Sequence, residues 1–392
     1  MPDAVIVAAA RTAIGTARKG TLVDVSTFDL AKYAVAEALK RSGIPHTDVD
    51  DLALGESLQG GGDVARYAAV ELGLAEIPGL ALNRHCASGM ASVQGAAASI
   101  MAGMDKVVIA GGSESLSTSP QTMKRKLGTD EYEQWMSPSH PATPDAPAFD
   151  MSITVGYNTA QSAGLSRADC DAWALRSHER ALAAIDEGRL AEEIFAIEVP
   201  MRDGTTKIFD TDEHPRRGST MEKMASLKTL HPEIEDFPIT AGNASGLNDA
   251  SAAMMIVSSD YAKANGLEPL GRIVSWASAG VEPRNTGLGP ITAIPKALQR
   301  AGLTINDINL AEINEAFASV PLATCRALGL SEDITNVNGS GCSLGHPVAA
   351  TGARMIITTM YELARRGGGM GLASMCAGGG MGSATVFEVY PS

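Results

Sequence analysis

The sequence repeats itself at a fixed distance, and this repeat limits the folds open to the chain more than any other feature. Residues 37–44 resemble residues 296–303, so that Leu39 matches Leu298 and Gly43 matches Gly302, both 259 positions apart. Each copy has the pattern of an amphipathic helix that ends at a glycine, followed by an Asp-aliphatic turn and a short strand. Two copies of such a unit predict two related α/β halves.

A second match follows in the same order, with small gaps. In the first copy a turn at Cys86 precedes a helix over about 88–102 and a strand over 106–110. In the second copy a turn at His346 precedes a helix over about 348–365 and a strand over 371–375. Both helices carry Ala, Gly, Ser or Met around most of their circumference, which predicts burial on all sides. We therefore expect the two helices to lie between two sheets, with Cys86 and His346 converging.

Composition bounds the class of protein. A chain of 392 residues predicts two or three domains. A formal net charge of −14 argues against nucleic-acid binding. The five cysteines have no close spacing, so we expect reduced thiols of a cytoplasmic protein, not a disulfide framework or a metal site. Because no apolar run reaches spanning length without polar interruption, we expect no association with a membrane.

Residues 119–240, between the repeats, are richer in Pro, His and charged residues. A capping-box-like start at 166–169 opens a predicted helix over 166–187. An insertion of this size in a symmetric core usually covers an active site or builds an interface. We divide the chain into an N-terminal half (1–118 plus 241–258), a loop domain (119–240) and a C-terminal half (259–392).

Three glycine-rich segments carry the candidate chemistry. Cys86 precedes a helix whose dipole and free N–H groups are expected to lower its pKa and favour a nucleophilic thiolate. His346, in a Gly-His-Pro turn, could take that proton or donate to an oxyanion. Cys376 precedes glycines that let N–H groups point into a site, and its thiol could move protons at a substrate carbon. Each residue also fits a purely structural role at a helix start or strand end.

Asn314 is a weaker candidate, since its amide can fix a water or polarise a carbonyl but asparagine also commonly caps helices.

Together these motifs resemble the thiolase family from end to end. The similar segments are Arg-Thr-Ala-Ile-Gly (11–15), Cys-Ala-Ser-Gly-Met (86–90), Gly-Gly-Ser-Glu-Ser-Leu-Ser (111–117), Thr-Ala-Gly-Asn-Ala-Ser-Gly-Leu-Asn-Asp (240–249), Asn-Glu-Ala-Phe-Ala (314–318), Gly-His-Pro (345–347) and Cys-x-Gly-Gly-Gly (376–380).

The resemblance implies a fold and an activity. The fold is a five-layer α-β-α-β-α core of duplicated halves with an inserted loop domain, in a homodimer or homotetramer. The activity is that of an acyl-CoA acetyltransferase, which reversibly cleaves 3-ketoacyl-CoA with coenzyme A or condenses acyl-CoA units through an acyl-cysteine. Coenzyme A enters as a substrate, and neither a metal nor another cofactor is implied.

The resemblance also implies roles for individual residues. Cys86 would be the acylated nucleophile, His346 its activator, and Cys376 the acid/base at the α-carbon. Asn314 would hold a water in one oxyanion site, and the backbone N–H groups of Cys86 and Gly378 would form the other. The implied coenzyme A contacts, from the adenine nucleotide inward, are Arg216, Met224, Ser245, Ala316 and Phe317, with Met151 in the substrate loop.

The sequence departs from the family pattern at four places, one of which is Ala250-Ser251, in place of Gly-Ala, after Asn248-Asp249. Asp150 stands before Met151 where the family often has His, and this acid is expected to disfavour negative groups in the acyl pocket. Ala349 replaces a glycine and could narrow the space at the helix start. Residues 339–343 read Gly-Ser-Gly-Cys-Ser, not Gly-Gly-Ala-Ile-Ala. These departures leave the chain length and branching of the acyl substrate open. The motifs likewise do not indicate the preferred direction of the reaction, or whether the chain forms a dimer or a tetramer.

Two alternatives remain. A decarboxylating condensing enzyme of the same fold would use a cysteine with two histidines, whereas Asn314 and Cys376 stand in those places here and favour a thiolase. A thiolase-like carrier of acyl-CoA or lipid would bind the thioester without turnover and never acylate Cys86.

Overall fold

In a computed structural model, which describes residues 2–391, the chain forms a mixed β-sheet with layers of helices packed on it. The strands are β1 Ala4–Arg11, β2 Gly15–Thr16, β3 Asp51–Gly55, β4 Gly79–Leu82, β5 Val107–Ser115, β6 Thr122–Arg125, β7 Tyr132–Trp135, β8 Ile197–Pro200, β9 Thr206–Phe209, β10 Asn248–Ser258, β11 Gly271–Gly280, β12 Leu310–Ile313, β13 Gly369–Ala377 and β14 Met381–Val389. The α-helices are α1 Thr27–Ser42, α2 Val64–Glu71, α3 Ser88–Met101, α4 Asn158–Ala163, α5 Arg167–Asp186, α6 Met221–Ser226, α7 Ser259–Ala264, α8 Gly289–Ala301, α9 Ser319–Leu328 and α10 Thr351–Arg365. Short 3₁₀ turns cover His46–Asp48, Pro283–Leu288 and Ile305–Asp307, and Ser152–Tyr157 is π-helical.

The strand order repeats in the two halves. In the N-terminal half the order from the edge is β4-β3-β5-β10-β1, with β3 parallel to β4 and β5, and β10 antiparallel to both β5 and β1. In the C-terminal half the order is β12-β13-β14-β11, with one parallel pair followed by two antiparallel pairs, which is the arrangement of β3-β5-β10-β1. The same sequence of strand directions on both sides is the expected result of a duplicated α/β unit.

The predicted repeat distance appears directly in the structure. Helices α1 and α8 both end at left-handed glycines, Gly43 with φ 63° and Gly302 with φ 69°. The following 3₁₀ turns, at 46–48 and 305–307, keep the separation of 259 residues, and β3 and β12 come next. A glycine is favoured at the helix end because other residues adopt this backbone region at a cost.

The sequence predicted two separate sheets, and here the structure differs. Strands β1 and β11 share a short antiparallel pair, Val5 with Arg272 and Ile6 with Gly271, which joins the halves into one ten-stranded sheet. Strand β1 is the last strand of the first half and β11 the last strand of the second, so each would have unpaired backbone N–H and C=O groups at that edge. The pair between them gives hydrogen-bond partners to some of these groups. Because the contact is only two residues long, the halves still face each other as layers.

The two small-residue helices lie between the halves, as predicted. Side chains of α3 and α10, including Val93 and Ile356, share one buried cluster with strands from both halves. Helices α1 and α2 pack on the outer face of the N-terminal half, and α8 and α9 on that of the C-terminal half. Helix α3 lies so close to the turn before α10 that a Cβ on Gly89 would overlap the carbonyl oxygen of Ala349. The result is five layers, α-β-α-β-α.

The predicted element boundaries needed small corrections. Helix α10 begins at Thr351 and not at 348, because the amides of Ala350 and Thr351 both bond to the Pro347 carbonyl at 2.9 Å and close a turn first. Helix α3 ends at Met101, and strands β5 and β13 extend over nine residues each.

Residues between the halves form two hairpins, β6–β7 and β8–β9, and several helices. Helix α5 has the predicted capping box, in which Ser166 and Asp169 bond to each other's backbone N–H groups. Within residues 2–391, no helix is both long and apolar enough to cross a membrane. The exact domain limits given above stay a prediction.

A buried ion cluster ties this inserted region to the first strand. Arg11 is fully buried at the end of β1, with its Nε 2.6 Å from Glu193 and two other nitrogens 2.8 and 2.9 Å from the Asp212 oxygens. Burial alone would lower the pKa of the Arg11 guanidinium, but Asp212 and Glu193 raise it above its ordinary value. Asp212 also accepts the N–H of Ile14 at 2.7 Å.

Candidate active site

The two candidate thiols lie side by side where the halves meet. Cys86 is half-buried two residues before α3, and Cys376 is buried next to the last residue of β13. The backbone N–H of Gly378 donates to the Cys86 sulfur, so the turn after Cys376 reaches the first thiol. A charge on Cys86 raises the pKa of Cys376, which shows how near the two sulfurs are. The structure thus brings Cys86 and Cys376 together, and the part of His346 in the same site stays a prediction.

The ionisation of Cys86 differs from the expectation drawn from its position before a helix. Burial raises the pKa of the Cys86 thiol to about 11, although the Gly378 N–H and the residue's own N–H lower it, and Glu114 raises it further. Desolvation of the thiolate therefore outweighs the helix terminus. Burial, and then the neighbouring Cys86, also raise the pKa of Cys376. Both sulfurs are thiols at neutral pH in the unliganded site.

This raised pKa predicts how Cys86 reacts with alkylating agents. Since only the thiolate reacts, its alkylation by iodoacetamide should rise about tenfold per pH unit from pH 7 to beyond pH 9. Peptide mapping by mass spectrometry, over a short time course at each pH, would follow Cys86 separately from the other four cysteines. A rate that levels off near pH 8–9, where an ordinary thiol is already ionised, would contradict the burial argument.

The environment of His346 fixes which ring nitrogen carries the proton. The Thr351 hydroxyl lies 2.8 Å from the Pro347 carbonyl, which can only accept, so the hydroxyl donates there. The Nδ1 of His346, 2.7 Å from the same hydroxyl, is therefore the N–H donor. Burial and then Arg354 lower the pKa of His346 to about 3. The ring is thus neutral, and its Nε2 is a buried lone pair without a partner among residues 2–391.

Asn314 also presents buried polar atoms without partners. Its backbone N–H bonds to the Ser374 carbonyl at 2.9 Å, which fixes the residue at the end of β12, beside the strand that carries Cys376. Its side chain is fully buried, and neither Oδ1 nor Nδ2 has a partner within the described residues. A buried amide that is left unpaired costs about 1–3 kcal/mol, so such a group fits a bound water or ligand. The predicted role in holding a water stays a prediction.

Three residues that the sequence analysis did not single out support the histidine turn. Asn248 accepts the His346 N–H at 2.9 Å, and a Cβ on Gly345, whose φ is 108°, would collide with the Asn248 side chain. Glu114 accepts the Ala349 N–H at 3.3 Å, and burial raises its pKa to about 7. Asn248 and Glu114 stood inside recognised motifs, which was a usable signal. Thr351 gave none beyond its position five residues after the histidine.

The predicted coenzyme A contacts differ in burial. The side chains of Met224 and Phe317 are buried in one cluster, with Met151 packed against it. The N–H of Ser245 bonds to the Ala316 carbonyl at 3.0 Å, which brings these two segments together. Arg216 is exposed, and its backbone N–H bonds to the His178 ring at 3.2 Å. Binding of coenzyme A at these residues stays a prediction.

The acid at position 150 is compensated. His231 Nε2 lies 2.9 Å from the Asp150 carboxylate, which also accepts the N–H and the hydroxyl of Ser152. Hydrogen bonding to Glu233, and then the Asp150 charge, raise the pKa of His231. The expectation that Asp150 would repel negative groups is therefore weakened, because an imidazole from another segment faces this carboxylate.

Two further departures, at Ala349 and at residues 339–343, serve packing. Ala349 is fully buried, and its carbonyl lies against Gly89 and Gly112, so its backbone and not its methyl group governs this contact. In residues 339–343, Ser340 donates to Glu312 at 2.7 Å, and the Cys342 N–H donates to Glu315 at 3.0 Å. These polar groups are satisfied within the fold.

Comparison with known proteins agrees with the fold and the motifs. Family models described as thiolase N-terminal domain and thiolase C-terminal domain match residues 4–260 and 267–389. The chain is 41% identical over 391 residues to the acetyl-CoA acetyltransferase of Pseudomonas aeruginosa, covering 98% of each chain. It is 39% identical to the 3-ketoacyl-CoA thiolase of Bacillus subtilis, over 99% of this chain and all of that protein. The crystal structure of the Bacillus anthracis acetyl-CoA acetyltransferase superposes with a TM-score of 0.92 at 40% identity, covering 99% of both chains.

The layered fold and these matches define the class of protein as acyltransferases built on the thiolase fold. The chain belongs to the thiolase family. The family and the fold class predicted from the sequence are confirmed.

Proposed function

We propose that this chain is a thiolase that cleaves 3-ketoacyl-CoA with coenzyme A, and catalyses the reverse condensation, through an acyl group on Cys86. One observation carries the proposal. Where the two halves meet, the Cys86 thiol accepts the Gly378 N–H and the Cys376 thiol lies beside it. The imidazole of His346, before the second central helix, has a buried Nε2 without a partner among residues 2–391. The names of the similar proteins, acetyl-CoA acetyltransferase and 3-ketoacyl-CoA thiolase, support the same reaction.

In the first half of the cleavage, the Cys86 sulfur attacks the 3-keto carbonyl and its proton passes to Nε2 of His346. The bond between C2 and C3 then breaks. The electron pair left on C2 takes the proton of Cys376, so that acetyl-CoA departs and an acyl group remains on Cys86. The backbone N–H groups of Cys86 and Gly378 stabilise the oxyanion of the acyl carbon, and Asn314 with a water stabilises the enolate oxygen.

In the second half, the thiol of coenzyme A attacks the acyl group. Its proton goes to the Cys376 thiolate, and the departing Cys86 sulfur recovers the proton from His346. Every group has then returned to its starting state. Since both thiols begin protonated, no charge has to be stored in the buried site before substrate arrives.

Acyl transfer to Cys86 tests this proposal directly. After incubation with acetyl-CoA and an acid quench, one acetyl group is expected on the Cys86 peptide. The Cys86→Ala variant should carry no acetyl group and lose acetoacetyl-CoA thiolysis entirely. Cys325→Ala, which removes a buried cysteine of α9, is the matched control and should behave as the wild type.

Continued turnover by Cys86→Ala, or an acetyl group on another residue, would refute the mechanism. Binding of acyl-CoA without any transfer would instead establish the carrier alternative. The names of the similar proteins favour neither the carrier nor a decarboxylating enzyme.

We further infer a homodimer or homotetramer in the cytoplasm that needs no cofactor beyond coenzyme A as substrate. Edge strand β4 is half-exposed, with Leu80 47% exposed, which suits an interface between copies. All five cysteines are free, which suits a reducing compartment.

A further inference from the structure

The histidine beside the nucleophile has no part in the reaction described above. His85 directly precedes Cys86, is half-buried, and has a left-handed backbone with φ 48°. Its N–H bonds to the Asn83 side chain at 2.9 Å, whereas no hydrogen bond of its ring occurs within residues 2–391. The ring is therefore available to a ligand.

The His85 ring borders the turn that reaches the Cys86 sulfur. A Cβ placed on Gly378 would lie 3.5 Å from the His85 Cγ and 3.3 Å from the Ser139 Cβ. Gly378 donates its N–H to Cys86, so an acyl carbonyl on that sulfur would lie at the same turn. The first carbons of the acyl chain would then be within reach of both side chains.

The hydrogen-bond pattern leaves an open acceptor on Ser139. The Nε2 of His140 lies 2.9 Å from the Ala146 carbonyl and donates to it, so that in the neutral ring Nδ1 accepts from the Ser139 hydroxyl at 2.8 Å. The Ser139 oxygen can still accept a hydrogen bond, and the His85 ring can both donate and accept one.

The charges at this place favour a neutral ligand group. Burial, and then the neighbouring His140, lower the pKa of His85, so its ring is uncharged at neutral pH. The Glu114 carboxyl, whose pKa burial raises to about 7, also raises the pKa of the adjacent Cys86 thiol. A carboxylate on the acyl chain would meet an uncharged imidazole and a partly ionised acid.

We propose that His85 and Ser139 form a polar wall of the acyl pocket that selects 3-ketoacyl-CoA substrates with a neutral hydroxyl or carbonyl group on the acyl chain. This inference rests on the proposed thiolase function. An unsubstituted alkyl chain would displace water from both residues and leave their polar atoms unpaired, which disfavours that substrate. One recovered hydrogen bond corresponds to about a tenfold preference in kcat/KM.

Three matched six-carbon substrates test the wall: 3-ketohexanoyl-CoA, 3-keto-6-hydroxyhexanoyl-CoA and 3-ketoadipyl-CoA. The wild type is expected to cleave the hydroxylated substrate about tenfold better than the alkyl one, judged by kcat/KM. In His85→Leu and in Ser139→Ala this ratio should fall towards one. In His85→Leu the leucine must adopt a positive φ, which could strain the backbone. Ser139→Ala tests the same wall without this strain. His46→Leu, at an exposed turn, is the matched control and should keep the wild-type ratio.

A ratio is informative because a general loss of structure would lower both rates together. An alkyl or carboxylate substrate that is cleaved best by the wild type would overturn the proposal, as would an unchanged ratio in both variants. If no 3-ketoacyl-CoA is cleaved and Cys86 is not acylated, the proposed thiolase function fails as well, which distinguishes the two results.

Discussion

Replacing Cys376 with alanine should divide the reaction into a half that survives and a half that is lost. Transfer of an acetyl group from acetyl-CoA to Cys86 breaks no bond at the α-carbon. The departing coenzyme A thiolate takes a proton from Cys376 in the intact site, but without this thiol it can take the proton that His346 received from Cys86. Cleavage of acetoacetyl-CoA requires a proton at that carbon, and a lost acid typically costs about 10²–10⁴-fold in rate. The Cys376→Ala variant should therefore acetylate at a rate close to that of the wild type and cleave acetoacetyl-CoA at least about 100-fold more slowly.

The two halves can be measured in parallel. Acetylation is followed by intact mass after an acid quench, and thiolysis by the loss of 3-ketoacyl-CoA absorbance. Cys170→Ala, at a buried position in α5, controls for the loss of a cysteine from the core. Equal losses in both assays would mean that Cys376 supports the site structurally and is not the acid.

Replacing Arg11 with methionine should produce the largest loss of stability. The substitution leaves Glu193 and Asp212 buried without their cation, and breaking a buried ion pair from one side typically costs about 3–5 kcal/mol. Urea unfolding, followed by circular dichroism and tryptophan fluorescence, would show a lower midpoint for the variant.

The exposed pair of Arg202 with Asp24 provides the comparison for this experiment. Arg202→Met removes the same kind of side chain at the surface, where water solvates the remaining carboxylate, so the midpoint should change far less. If Arg11→Met unfolds at the wild-type urea concentration, the buried cluster contributes little and the inserted region is held in place by other contacts.

Much of the fold followed from the sequence because the duplication fixed it. The distance between Gly43 and Gly302 predicted the repeat of helix, turn and strand that the structure contains. The pair between β1 and β11 could not be predicted, because it depends on how near two strands come after both halves have folded. The late start of α10 depends on one carbonyl, that of Pro347, accepting two amides.

The positions of the candidate residues followed from the sequence better than their electrostatics did. The motifs identified Cys86, His346 and Cys376, which the structure brings to the junction of the halves. The raised pKa of Cys86 was not predictable, because the depth of burial is not visible in a helix-start pattern. The tautomer of His346 depends on Thr351, and the partner of Asp150 is His231, 81 positions away in sequence.

The repeated strand order has a consequence for the origin of the two thiols. Strands β5 and β13 hold equivalent places in the two halves, and both are nine residues long. When they are aligned from their first residues, Glu114 in the first half stands at the position of Cys376 in the second. Likewise Cys86 and His346 precede equivalent helices. A symmetric pair of identical polypeptides would have to carry the same residue at both equivalent places. Two copies in one chain can differ, so the proposed nucleophile can lie in one copy and its proposed base and acid in the other.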